Sequence, residues 1–300
     1  MRLIILGASG KIGSQLYRDS IDRDLDVVGT YCKTPVEDLQ PFDVKKNALG
    51  DLVQVLSSED VVFLLAGQID QNWVKDNPKE SHAINVTALR QLTDEATAAG
   101  AMVIFVSSEA IFDGLQGGYT EESTPAPLTV YAKQKLEIEN YIQATSSNYC
   151  IVRTGWTVGW ENTEHDPIFG TYKGLLQKGA KMAEDNIFTL TDVCDTSNAL
   201  LKLIQQKKQG LYHIAANPPV GRTDLADWIK KSSIYGTDMS YETVKFNELN
   251  FSEPRPAKSW ISNQKLVEEI DHAFRSPKEI VEAKVVLIDR HFEGPERAPA

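Results

Sequence analysis

A phenol and an ammonium stand one helical turn apart at Tyr131 and Lys135, in the run Tyr-Ala-Lys-Gln-Lys. Four residues bring two side chains onto one helix face, so the pair sets a proton donor beside a fixed positive charge. By itself this spacing is common in surface helices, where it only stabilises a turn. Two neighbours give it weight: a strand-like run ending in Ser107-Ser108, and the loop Gly7-Ala-Ser-Gly10-Lys-Ile-Gly13 near the N-terminus. Reduction of a ketone needs a hydride donor, a proton donor and stabilisation of the developing alkoxide, and these segments carry residue types suited to all three.

A scaffold must hold these segments together. Short apolar runs alternate with helical patterns through the first half of the chain, the signature of βαβ units and a parallel sheet. Strands are expected at Leu3–Leu6, Asp26–Thr30, Val61–Ala66, Met102–Val106, Tyr149–Arg153 and Leu211–Ala215. Helices are expected over about 11–20, 79–99, 131–145, 172–178 and 193–206. The fold class is therefore α/β, a Rossmann-type doubly wound parallel sheet with a smaller C-terminal substrate-binding lobe. We divide it at residue 155, with 1–155 binding the dinucleotide and 156–300 forming the lobe, the two interleaved.

The glycine loop sits between the first strand and first helix. There Gly7 permits the tight turn, Gly10 lets the backbone approach a pyrophosphate, and Gly13 packs helix against strand. The helix N-terminus adds free N–H groups. The end of the second strand discriminates between cofactors, because an Asp or Glu there accepts the ribose hydroxyl of NAD and repels a 2′-phosphate. Here the chain reads Gly29-Thr30-Tyr31-Cys32-Lys33, with no acid. Thr30 as a donor, with Lys33 or Lys11 as the positive charge, favours NADPH, NADH remaining the alternative.

Bulk properties exclude several classes. With 42% hydrophobic residues, 300 residues can bury a sizeable core. A net charge of -11 and the lack of any Lys/Arg block argue against nucleic acid as a partner. No apolar run approaches a membrane span. Three scattered cysteines, Cys32, Cys150 and Cys194, make neither a disulfide framework nor a zinc site. With no signal peptide in evidence, they lead to the expectation of a cytoplasmic protein.

The order of motifs is similar to that of a known family. Val106-Ser-Ser-Glu-Ala-Ile-Phe-Asp-Gly114, Tyr119-Thr-Glu-Glu, and Pro125-Ala-Pro-Leu-Thr-Val-Tyr131-Ala-Lys-Gln-Lys135 resemble STDYVFDG…PYxE…PxPxxxYGxxK. That is the pattern of the extended short-chain dehydrogenase/reductase superfamily, in its dTDP-4-dehydrorhamnose reductase-like branch. Asn85-Val86, Arg153-Thr-Gly-Trp156, Tyr212-His213 and Arg255-Pro256 extend the match over nearly the whole chain. The resemblance implies an oxidoreductase of deoxysugar biosynthesis that reduces the C4 keto group of a nucleotide-activated 4-keto-6-deoxysugar with NADPH. It makes Tyr131 the general acid, with its phenol pKa lowered by Lys135 and the oxidised nicotinamide ring. Lys135 also holds the nicotinamide ribose, and Ser108, or Ser107 if the register is shifted by one, bonds the carbonyl oxygen. Ser9, Lys11, Ile12, Asp43, Val44, Leu65, Ala66 and Gly67 join Gly7, Gly10, Gly13, Thr30 and Lys33 as cofactor positions. Gln68, Glu109, Trp156, Phe169 and Arg255 fall at substrate positions, the aromatics as platforms and Arg255 toward the diphosphate. A homodimer is a candidate assembly.

Several positions depart from the pattern. Glu109-Ala110 replaces Asp-Tyr, Ala132 replaces Gly, and Leu65-Ala-Gly-Gln68-Ile-Asp70 replaces an Ala-rich stretch. Ala110 cannot supply the second carboxylate that sugar 4,6-dehydratases use. A nucleotide-sugar 4-epimerase stays open, as does a non-catalytic NADP-binding regulatory subunit of a partner enzyme, since such a subunit resembles the same branch.

Overall fold

The computed structural model describes residues 1–160, 166–177 and 179–292. Its strands and helices run, in chain order, β1 (Arg2–Leu6), α1 (Lys11–Ile21), β2 (Asp26–Tyr31), β3 (Gln40–Pro41), β4 (Asp60–Leu64), α2 (Gln71–Asp76), α3 (Pro78–His82), α4 (Ala88–Ala98) and β5 (Met102–Ser108). They continue with α5 (Val130–Thr145), β6 (Tyr149–Thr154), β7 (Trp156–Val158), α6 (Pro167–Leu176), β8 (Lys181–Ala183), β9 (Ile187–Phe188), β10 (Leu190–Asp192), α7 (Val193–Gln205) and β11 (Gly210–Ile214). Last come β12 (Val220–Gly221), α8 (Arg222–Ser232), β13 (Glu242–Val244), α9 (Gln264–Ile270) and α10 (Pro277–Phe292).

Seven parallel strands form one sheet in the order β11-β6-β5-β4-β1-β2-β3. A parallel sheet is covered on both faces, so its central strands are apolar throughout, and all five residues of β4 are buried. Alternate residues supply two layers. Leu3 and Ile5 face α1 and α7, whereas Ile4 and Leu6 join Leu89, Leu92 and Ile138 from α4 and α5. A separate apolar cluster, from Val158 through Tyr172, Phe188 and Leu225 to Ile288, forms a second core. Residues of α7, β11 and α9 pack in the sheet's own layer, although they follow residue 155.

Two expected helices differ in detail. The one over 79–99 is interrupted by a π turn, Ala83–Thr87. The one over 172–178 instead starts at Pro167, where the Asp166 carboxylate caps the N–H groups of Ile168 and Phe169 and proline fits the first turn; Lys178 lies outside the described residues. Among the described residues no helix is long and apolar enough to cross a membrane.

Candidate active site

A cavity of about 1110 Å³ runs from the glycine loop along the carboxyl ends of β4, β5 and β6 to the second core, where open parallel sheets bind their ligands. Gly7, Gly10, Lys11, Ile12, Gly13, Leu65 and Gly67 line one end, and Ser107, Ser108, Glu109, Tyr131 and Lys135 the middle. Trp156, Arg222, Phe251 and Arg255 belong to the remaining wall.

The glycine end is built for close backbone approach. Gly7 has φ +93°, and a Cβ there would meet Ala66 N at 2.8 Å. A Cβ on Gly13 would lie 2.2 Å from Gly7 O, whereas one on Gly10 would meet only that carbonyl, at 3.2 Å. Gly10 caps α1 without offering a side-chain oxygen, so the first turn presents N–H donors where a pyrophosphate fits.

Thr30 has a different role from the one expected. Its hydroxyl accepts from Gly7 N at 3.0 Å and donates to Ile5 O at 3.4 Å, pinning the glycine loop to β2. Its commitment inside the fold removes it as a 2′-phosphate donor. Lys11 is likewise redirected: Nζ donates to Thr157 O at 3.0 Å and lies 3.8 Å from Asp166, tying α1 to β7 and the start of α6. Lys33 is exposed. Asp43 pairs with Lys46 at 3.0 Å, and Val44 packs at the edge of the sheet's core. Ser9, Ala66, Thr30, Lys33, Asp43 and Val44 stand outside the cavity wall.

At the centre, β5 delivers Ser108 and α5 delivers Tyr131 and Lys135. Thr129 caps α5 through a 3.2 Å bond from Ala132 N, which starts the helix one residue before Tyr131. Ser108 lies beside the Tyr131 phenol and favours its ionisation, and its Oγ accepts from Ala110 N at 3.2 Å. Ser107 is buried with no partner for its hydroxyl among the described residues, so Ser108 is the residue that meets the phenol. Burial raises the Tyr131 pKa to about 12, the neighbouring Ser108 acting against it. The expected lowering by Lys135 is thus absent from the polypeptide alone, because desolvation of the phenolate dominates. Lys135 itself is pulled down to about 8 by burial, with Glu139 one turn below acting the other way.

Below this centre lies a satisfied polar layer. Arg153 forks onto Glu139 with bonds of 2.7 to 3.2 Å. His213 is fully buried, and burial and Arg153 hold its pKa down to about 3. It is neutral and structural, with Nδ1 at 3.1 Å from Ser262 O.

The residues expected to meet substrate divide. Glu109 lines the cavity 3% exposed, and burial lifts its pKa to about 8 against bonds from Ser259 and Thr189. Trp156 stacks on Phe188 at 4.6 Å beneath the Arg222 guanidinium. Arg255 reaches the cavity beside Asn72 and Phe251. Phe169 does not reach it: the ring is turned into the second core, stacked on Phe292. Gln68 folds back on its own loop, accepting from Ile69 N at 3.0 Å, while Asn85 holds its backbone N–H and C=O at 2.7 and 2.9 Å. Arg222, Asn186, Asn72 and Phe251 line the wall without any sequence motif to mark them.

Comparison with known proteins gives the family and the fold. The RmlD substrate binding domain family matches residues 1–286. Methionine adenosyltransferase 2 subunit beta from Rattus norvegicus is 29% identical over 236 residues, 75% of this chain and 70% of that protein. The dTDP-4-dehydrorhamnose reductase of Mycobacterium tuberculosis is 28% identical over 225 residues, 73% of this chain and 71% of that protein. Among solved structures, a dTDP-4-dehydrorhamnose reductase from Clostridium acetobutylicum superposes with a TM-score of 0.80 at 24% identity, covering 96% of this chain and 99% of that one. The Bacillus anthracis reductase in complex with NADP gives 0.78 at 21% identity, with 95% and 98% covered. The chain belongs to the RmlD substrate binding domain family, in the dTDP-4-dehydrorhamnose reductase-like branch of the extended short-chain dehydrogenases/reductases.

Proposed function

We propose that the chain is an NADPH-dependent reductase of the C4 keto group of a nucleotide-activated 4-keto-6-deoxysugar. The observation that carries this reading is the meeting of Ser108, Tyr131 and Lys135 in one cavity with the glycine loop. Related reductases share the fold, and one of them was solved with NADP. The bound cofactor supplies the hydride. Tyr131 donates its phenolic proton to the oxygen of the former ketone, and Ser108 holds that oxygen in line with the phenol. A phenol near pKa 12 still protonates an alkoxide, which is the stronger base. Lys135 places positive charge beside the reacting oxygen. The second core beyond residue 155 acts as the substrate lobe, with Trp156 and Arg255 on its side of the cavity.

A second reading follows from the relatives named as a subunit of methionine adenosyltransferase, in which the chain binds NADP and serves a partner enzyme. The test is NADPH oxidation against dTDP-, GDP- and UDP-4-keto-6-deoxysugars, with Tyr131→Phe as control. Turnover lost in Tyr131→Phe supports the reductase. Equal turnover in both overturns the mechanism, and no turnover together with recovery of a stoichiometric enzyme partner supports the second reading.

A further inference from the structure

Arg222 opens α8 in the cavity wall, its guanidinium 4.4 Å from the Trp156 ring centroid and 5.2 Å from that of Phe188. Its Nη1 donates to Thr171 Oγ1 at 3.4 Å. Among the described residues no carboxylate pairs with it. Burial draws its pKa down to about 10, and no neighbouring charge opposes that shift. Other arginines are compensated: Arg153 by Glu139, Arg275 by Asp192 and Asp195, Arg2 by Asp60. The chain has 42 acidic residues against 31 basic ones, yet none among the described residues pairs with Arg222.

Removing a cation from water without a counter-ion is costly. Here the cost is incurred at a ligand-accessible wall, and most of the planar N–H fork is left to the cavity, a geometry matched to oxyanions. The wall connects to the chemical centre. Thr154 pairs with Ser108 across β5 and β6, a Cβ on Gly155 would lie 2.8 Å from Glu109 Oε2, and Trp156 follows directly. Arg255 sits apart, beside Asn72 and Phe251.

We propose that Arg222 is an oxyanion receptor of the substrate cavity, taking a carboxylate or phosphate group of the nucleotide sugar with Thr171 at its side. This rests on the cavity being the nucleotide-sugar site. The two sources of the anion, a sugar acid and the diphosphate, are separated by ligands that differ only in the sugar carboxylate.

The test is binding of UDP-glucose, dTDP-glucose and UDP-glucuronate to the full chain, by calorimetry and by tryptophan fluorescence, since Trp156 lies beneath the guanidinium. Arg222→Gln is expected to weaken binding by about tenfold or more. Loss confined to UDP-glucuronate assigns a sugar carboxylate; equal loss for all three assigns the diphosphate. Arg222→Lys keeps the charge without the fork, falls between, and carries the test if Arg222→Gln does not fold. Affinities unchanged within about twofold in a variant that melts like the wild type overturn the proposal, as does absence of binding of all three to the wild type. A chain that oxidises no NADPH yet binds through Arg222 sinks the reductase reading and leaves this inference standing.

Discussion

Lys135 Nζ donates a 2.9 Å hydrogen bond to the carbonyl of Val106, two residues before Ser108 on β5. The same ammonium lies 4.7 Å from the Phe105 ring centroid and 5.8 Å from that of Tyr131. One cation therefore joins the end of the strand to the face of the helix that carries the phenol.

That position sets a pH dependence. With its pKa drawn from 10.5 to about 8, Lys135 is charged below about 8 and neutral above. Turnover that needs the ammonium falls as pH rises through 8. The folded pKa is below the unfolded one, so the unfolded chain binds more protons between 8 and 10.5. In that window this group makes stability rise with pH. Lys135→Arg keeps its charge and moves the falling limb of the kcat/KM profile to higher pH, at reduced turnover. Lys135→Met loses turnover by on the order of 10²-fold or more. A falling limb unchanged in Lys135→Arg would assign it to another group.

Glu109 works in the opposite sense. Burial raises its carboxyl from 4.5 to about 8, so the folded chain binds more protons than the unfolded chain between those values. The stability it contributes is present at low pH and is lost as pH climbs from about 5 to 8. Ser259 Oγ donates to Oε1 at 2.7 Å, and glutamine keeps that acceptor without the titration. Melting temperatures of wild type and Glu109→Gln are expected to diverge with rising pH, the variant ahead at pH 8. Parallel curves would refute a neutral Glu109.

The split between legible and illegible residues has a physical cause. Tyr131, Lys135, Ser108 and the glycines of the loop are readable because local geometry fixes them: a helical turn, a strand end, a positive φ at Gly7 and a close backbone approach at Gly13. Continuous apolar runs likewise expose β1 and β5, and a period-3.6 pattern exposes α7. Phe169 and Gln68 do not line the cavity, because a family position says which segment lies near a ligand while packing decides which way a side chain turns. Thr30 has the chemistry of a cofactor donor, but its hydroxyl bridges Gly7 N and Ile5 O. Arg222 had no signal at all, since its meaning depends on Trp156, 66 positions earlier, and on the lack of a paired carboxylate among the described residues.

The π turn at Ala83–Thr87 places Asn85 where one amide serves three partners: Gln68 N, Gln68 O and Gln134 Oε1. Gln134 in turn donates to Ser81 Oγ at 2.9 Å. π turns occur often at functional sites, and this one holds the loop after β4 against α5. Asn85→Ala strands buried polar groups, each costing about 1–3 kcal/mol. Urea denaturation is expected to show that loss. Asn85→Asp, which keeps the acceptor for Gln68 N but loses both donated bonds, should also be destabilised. A midpoint unchanged in both variants would mean that the network is replaced by water.

The glycine loop separates fold from function within three residues. At Gly13 a Cβ would lie 2.2 Å from Gly7 O and 2.9 Å from Ala8 Cα, both backbone atoms that cannot step aside. Gly13→Ala is therefore expected to destabilise the chain, by roughly 1–3 kcal/mol or more, through forced separation of α1 from the loop. At Gly10 the nearest atom is 3.2 Å away and the backbone φ is -84°, a region any residue adopts. Gly10→Ala should melt close to wild type, yet its methyl would stand where the pyrophosphate approaches, so NADPH binding weakens by about tenfold or more. The informative result is the pairing of thermal melts with NADPH titration in the two variants. If Gly10→Ala binds NADPH as wild type does, the dinucleotide does not lie against this loop.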